Sequence, residues 1–315
     1  MGRVPESRRL TLLATAALLA VTACWGSTFF LIHDLLERMP TLDFLAVRFA
    51  IASVTLILLA PRALGRLSRD SRRQAVVLGG VYGVAQILQT AGLAETPASV
   101  SGFITGMYVV ATPVFAALIL RTRIGLSTWV AVGLAMTGLG VLTLSGFSIG
   151  YGEALIFVAA MLYALHIVGL GAWSDSQQAL GMATVQLLVI TAICLVCTAP
   201  NGLVLPDGVG DWLSVLYMAV FAGAGAMIGQ TWAQAHLPAT RAAIIMSMEP
   251  VFAALFAVLF GGESATVRMI LGGLLVLAAM LLAELAPRRK VEAEVTHLTV
   301  LGPDGVGPSV PLDLH

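Results

Sequence analysis

Four stretches of this chain, residues 10–32, 99–120, 127–144 and 241–260, run about twenty residues each with almost no charged side chain. A helix of ~20 apolar residues crosses the ~30 Å hydrocarbon core of a bilayer. Backbone in lipid must satisfy its own hydrogen bonds, so such segments are helices or closed barrels. The strict alternation of apolar and polar residues that marks a membrane barrel is absent. Composition agrees: 58% of residues are apolar and 11% charged, against about 25% charged in soluble domains. The chain is therefore expected to be an all-α polytopic membrane protein. Ten spans can be drawn, at about 10–33, 43–60, 74–94, 99–120, 126–145, 152–172, 180–199, 211–234, 240–260 and 267–286.

The spans repeat. Residues 113–118 and 250–255 both read PVFAAL. Gln89-Thr90 and Pro97-Ala98 return as Gln230-Thr231 and Pro238-Ala239. Residues 42–61 align with 180–200, which pairs Arg48 with Gln186, and Trp25 then pairs with Tyr163. The chain reads as a duplicated five-helix unit. Its expected parts are a cytoplasmic N-terminus (1–9), a first repeat (10–145), a second repeat (152–286) and a disordered cytoplasmic tail (287–315).

Five is odd, so the second copy enters the membrane from the opposite side. Charge supports this. With the N-terminus inside, the inner segments hold Arg3, Arg8, Arg9, Arg62, Arg66, Arg69, Arg72, Arg73, Arg121, Arg123, Arg241, Arg288, Arg289 and Lys290, leaving only Arg38, Arg48 and Arg268 elsewhere. That is the bias of the positive-inside rule, and it puts both termini in the cytoplasm. Equivalent loops also invert their character, PRALGRLSRDSRR becoming PNGLVLPDGVGDW.

Inverted repeats are a mark of secondary transporters, whose site lies near the midplane where the halves meet and whose halves rock against each other. Trp25-Gly26-Ser27-Thr28-Phe29, Arg48-Phe49, the proline-led fourth and ninth spans, and Glu249-Pro250 followed by Gly262-Glu263 resemble the EamA-type proteins of the drug/metabolite transporter superfamily. The resemblance covers about residues 10–286 and implies a ten-helix carrier of the inner (cytoplasmic) membrane, usually an exporter of amino acids, amines, nucleosides or drug-like compounds. It departs after the fourth span, where Arg121-Thr122-Arg123 stands in place of a common Gly-Glu.

Ionisable groups at membrane depth are costly and are functional candidates by default. Glu249, whose repeat partner is the neutral Thr112, can exchange a proton or hold a cation, or can simply be a protonated acid bonded to a freed carbonyl. His166 is a relay or substrate donor, or a satisfied core histidine. Gln86 with Gln89, and Gln230 with Gln234, share helix faces; their amides suit polar substrates or interhelical contacts. Trp25, Tyr82, Tyr108, Tyr163 and Trp232 can line a cavity or make ordinary core contacts. Arg48, in the outer part of its span, either anchors a substrate carboxylate or phosphate or, the favoured reading, snorkels to the surface to pair with Asp43 or Glu37. Pro113 and Pro250 each remove a backbone donor inside a span, so they are expected to kink it and serve as gating points.

Other functions find less support. The only lysine, Lys290, precedes Val291, so no Walker A motif exists to drive a pump. Gly146–Gly150 matches G-x-S-x-G but falls in the turn between the halves, not in a strand–turn–helix setting. Cys194-x-x-Cys197 lacks further ligands nearby, and the apolar run continues past Cys24, unlike a cleaved leader. Neither metal nor cofactor is expected, and zero net charge gives no argument for nucleic acid. The expected function is a secondary transporter, not an enzyme. It would export a small metabolite by alternating access, with protons as candidate coupling ions and the bilayer as its other partner. One chain carries both halves, so a monomer suffices. An uptake carrier or facilitator of the same fold stays open, and an intramembrane enzyme less so.

Overall fold

The computed structural model describes residues 6–96, 98–143, 150–200, 202–260 and 265–285. The G-x-S-x-G turn (except Gly150), Pro97, Gly262-Glu263 and the tail beyond residue 285 lie outside the described residues. Among those described, every regular element is helical: α1 (Glu6–Gly26), α2 (Phe29–Leu36), α3 (Thr41–Leu59), α4 (Ala63–Arg66), α5 (Arg69–Leu93), α6 (Ala98–Gly106), α7 (Tyr108–Ile119) and α8 (Leu126–Thr143), then α9 (Tyr151–Trp173), α10 (Ala179–Thr198), α11 (Val209–Ala219), a π-helical segment (Val220–Gly225), α12 (Ala226–Gln234), α13 (Ala239–Met246), α14 (Glu249–Phe260) and α15 (Val267–Leu285). Seven helical segments among the described residues are long and apolar enough to cross a membrane; Ile104–Ile119, Leu126–Val141 and Val267–Ala283 are shorter apolar helices.

Two pairs of equivalent helices, α3 with α10 and α8 with α15, pack against each other and run antiparallel, as an inverted repeat requires. The α3–α10 pair is pinned by Ser53 Oγ and Thr191 Oγ1, 3.0 Å apart. Along α8 and α15 the backbones nearly touch, since a Cβ on Gly138 would stand 2.8 Å from Gly272 O and Val276 N. The α5–α9 contact corresponds to the α1–α12 contact, and α7–α9 to α1–α14. At Gly79 on α5 a Cβ would stand 2.9 Å from the Gln186 Cα, so the small residue sets how closely α5 approaches α10. The buried core centres on Phe44, Phe49, Leu18, Leu56, Ile167 and Leu139. Outward faces are apolar as well: Leu58, Leu118, Val196 and Phe260 are all largely exposed. A soluble protein would cover that perimeter with charge, whereas a lipid-facing one has no need to.

Several spans read as continuous in the sequence are interrupted. The first breaks at Ser27–Thr28, where the two hydroxyls bond back to Cys24 O at 2.7 Å and Trp25 O at 2.8 Å, a pattern that loosens helices. The ninth breaks at Ser247–Met248, where Ser247 Oγ bonds Ile244 O at 2.6 Å. Pro250 follows at once, in the first turn of α14. The fourth breaks at Met107, well before Pro113, which sits inside α7. In both proline spans the opening lies on the N-terminal side of the proline, next to it in the ninth and six residues upstream in the fourth. The eighth contains the π segment instead of a break.

On the face opposite the N-terminus the halves are tied by polar contacts. Arg38 Nε and Nη2 donate to Asp211 Oδ2 and Oδ1 at 3.2 and 2.8 Å, and the Val204 N–H donates to Asp43 Oδ2 at 3.2 Å. Glu153 accepts from the Gly150 N–H at 2.9 Å and caps α9.

Candidate functional site

Where the interrupted helices meet, between the two repeats, the molecule has a partly open cavity of about 70 Å³. At ~10–15 Å³ per water on this measure, it holds about five waters or one small polar molecule in this conformation. The first half contributes Trp25, Thr28, Arg48, Tyr82, Gln86, Gln89, Thr105 and Tyr108; the second contributes Tyr163, His166, Gln230, Met246 and Glu249. A smaller void beside it is lined by Gly102, Tyr108, Glu249 and Pro250.

A continuous hydrogen-bond chain crosses between the halves on one wall. Gln86 Nε2 donates to Tyr82 OH at 3.1 Å and to Tyr163 OH at 2.9 Å. Tyr163 OH donates to Gln89 Oε1 at 2.6 Å, and Gln89 Nε2 donates to Thr105 Oγ1 at 3.1 Å. The i, i+3 spacing of the two glutamines on α5 lets both reach the same tyrosine. His166 is buried behind Tyr82, ring centroids 4.9 Å apart, and its Nε2 lies 2.8 Å from Gln186 Oε1. With that oxygen as acceptor, Nε2 carries the hydrogen.

The Trp25-Gly26-Ser27-Thr28 run has a separate task for each residue. Trp25 Nε1 donates to Ala222 O, a carbonyl of the π segment, at 3.0 Å. Gly26 lets α14 approach, since a Cβ there would stand 2.8 Å from Glu249 O and Ala253 N. Ser27 Oγ lies 2.6 Å from Tyr217 OH, and Thr28 lines the cavity. Packing through Gly26 sets Glu249 at the cavity wall, in the first turn of α14, where the helix dipole favours negative charge. Its carboxylate has no hydrogen-bond or salt-bridge partner among the described residues. The reading of Glu249 as an acid bonded to a freed carbonyl therefore finds no such bond here.

Arg48 overturns its favoured reading. It does not snorkel: it is only 4% exposed and faces the cavity, because this turn of α3 is turned toward α11 and the π segment. Asp43 is engaged with Val204 instead, and the described ion pair on that face belongs to Arg38. Gln234 stands behind the wall: it accepts from Gln230 Nε2 at 3.1 Å and donates to Ile167 O at 2.8 Å, joining α12 to α9. Trp232 makes a tilted ring contact with His236, centroids 4.7 Å apart, away from the cavity. Three buried polar atoms of lining residues have no partner: Arg48 Nε, Tyr108 OH and Gln230 Oε1. Such atoms call for water or a ligand.

Sequence reasoning missed Thr28, Thr105, Tyr217 and the π segment. The first two sit one turn or less from residues that were singled out. A backbone carbonyl that accepts from side chains, such as Ala222 O, has no letter of its own.

Comparison with known proteins agrees with this geometry. The EamA-like transporter family matches residues 12–144 and again 150–285. An uncharacterized transporter of Archaeoglobus fulgidus is 30% identical over 282 residues, 87% of this chain and 86% of that one. A solved crystal structure superposes with a TM-score of 0.73 at 17% identity, over 86% of this chain and 96% of its own, which shows a shared fold.

Proposed function

Because the chain belongs to the EamA-like transporter family, and so is a multi-pass membrane transporter, we propose that it is a secondary carrier that exports a small polar metabolite from the cell by alternating access. Its helices form ten membrane crossings, three of them broken and one carrying a π segment, with both termini in the cytoplasm and the protein in the inner membrane. The observation that carries this reading is the cavity at the junction of the two inverted repeats, with side chains of both halves in one hydrogen-bonded wall. A site shared by two antiparallel halves can be exposed to one side or the other as the halves rock.

Glu249 is the coupling group of this proposal. It is an ionisable side chain at membrane depth, lines the cavity and has no bonded partner among the described residues, so it can exchange a proton with whichever side the cavity faces. The amides and phenols opposite it orient a polar substrate, donating and accepting at once. Export as the direction, and protons as the coupling ion, rest on the family resemblance and on Glu249 respectively.

The test is the extracellular metabolite profile of cells overproducing the protein beside cells overproducing Glu249→Gln at equal membrane levels. A compound class that accumulates outside with the native protein and at least tenfold less with the variant supports export coupled through Glu249. Accumulation with both keeps the exporter and removes the coupling role. No difference from empty cells over a broad panel contradicts export.

A further inference from the structure

The two charged residues at the cavity are not repeated. Where the first half has Arg48, the second has Gln186, a neutral amide bonded at both ends, to His166 Nε2 at 2.8 Å and Met182 O at 3.3 Å. That position can thus be filled, and its packing satisfied, without charge. Arg48 is the reverse case. Among the described residues its one hydrogen-bond partner is Ala222 O, at the long limit of 3.5 Å, and its Nε is buried with no partner at all. Around it lie the rings of Phe49 at 5.3 Å and Phe44 at 5.9 Å, both on its own helix, and across the cavity the phenols of Tyr82 and Tyr163. A guanidinium so enclosed, with donors to spare and no carboxylate bonded to it, is an incomplete ion pair.

Resting on the carrier reading above, we infer that Arg48 is the anion subsite of the cavity and that the transported molecule carries a singly charged oxyanion, a carboxylate rather than a phosphate monoester. The planar fork of a guanidinium matches either group in a two-pronged bond. The unpartnered Glu249 on the same cavity decides between them. With Glu249 ionised, one carboxylate on Arg48 leaves the site a single charge negative, whereas a doubly charged phosphate monoester leaves it two charges negative and is disfavoured. A ligand with an amine at its other end would also satisfy Glu249.

The test uses the purified full chain in proteoliposomes. They are loaded with an equimolar mixture of the common amino acids, their decarboxylated amines, their deaminated carboxylates, glycerol phosphate and phosphoserine. Efflux above that of protein-free vesicles is read by mass spectrometry. The expected result is efflux confined to carboxylate-bearing members. It falls at least tenfold in Arg48→Gln and is retained in substantial part in Arg48→Lys at equal reconstituted amounts. The inference is overturned if the amines leave as fast as the parent amino acids, if the phosphate monoesters are preferred, or if Arg48→Gln leaves the selectivity unchanged. Absence of all efflux overturns it too, while the carrier reading itself is decided separately by the accessibility of the cavity from the two sides.

Discussion

At the scale of single residues, the site depends on one missing side chain as much as on those present. Gly26 is where α1 meets the start of α14, and an added Cβ would fall 2.8 Å from backbone atoms that cannot swing aside. Gly26→Ala is expected to cost about 1–3 kcal/mol through overpacking, read as a lowered unfolding temperature in detergent, and to displace Glu249 so that transport falls as well. Unchanged stability and transport would mean that α14 is free to move away. Trp25→Phe keeps an aromatic ring but removes the indole N–H that holds Ala222 O, a bond of about 0.5–1.5 kcal/mol, together with the five-membered ring. It should leave assembly intact while slowing transport several-fold in the proteoliposome assay. The candidates themselves were legible because amides, acids and imidazoles stand out at membrane depth. The direction each one faces was not. The position of Arg48 within its span gives its depth but not its rotation about the helix axis, so the sequence alone favoured the surface over the cavity.

At the scale of elements, the interruptions are what bring polar groups to the cavity. The prolines marked two of them, but only indirectly. Pro113 lies inside α7, whereas the break is at Met107; Pro250 lies in the first turn of α14, where its missing N–H is no loss. Pro113→Ala should therefore restore a helical bond, stiffen the fourth span and reduce transport more than Pro250→Ala does. Equal effects would show that the prolines do not act through the helix ladder. The π segment left no such mark, because its residues, VFAGAG, are ordinary membrane-helix residues. A π segment behaves as a one-residue insertion in an α-helix. Deleting Ala224 should leave α12 and its Gln230–Gln234 bond in place and withdraw Ala222 O from Trp25 and Arg48. The expected outcome is a folded protein, monodisperse on gel filtration, with transport reduced more than tenfold; full transport would show that this carbonyl is dispensable.

At the scale of the whole molecule, the duplication was the most readable feature. PVFAAL written twice, an odd number of spans in each copy, and basic loops that turn acidic in the other half all pointed to antiparallel halves. The antiparallel α3–α10 and α8–α15 pairs have that arrangement. What no residue announced is how the halves are fastened. The Arg38–Asp211 pair closes one face, yet neither residue belongs to the repeated motifs. Being partly exposed, such a pair contributes no more than about 1 kcal/mol, which suits a contact that must open in each cycle. The central claim is that this closure and its opposite alternate around one cavity. It is tested most directly in a variant whose three cysteines are replaced, carrying Thr28→Cys at the cavity with Arg38→Cys and Asp211→Cys at the closed face. Thr28→Cys is then probed with a membrane-impermeant thiol reagent from each side. Before cross-linking, the account predicts labelling from both sides. After the two face cysteines are joined by a short bifunctional reagent, it predicts labelling from the opposite side only, and no transport. Labelling from both sides after cross-linking, or transport that continues, would contradict alternating access.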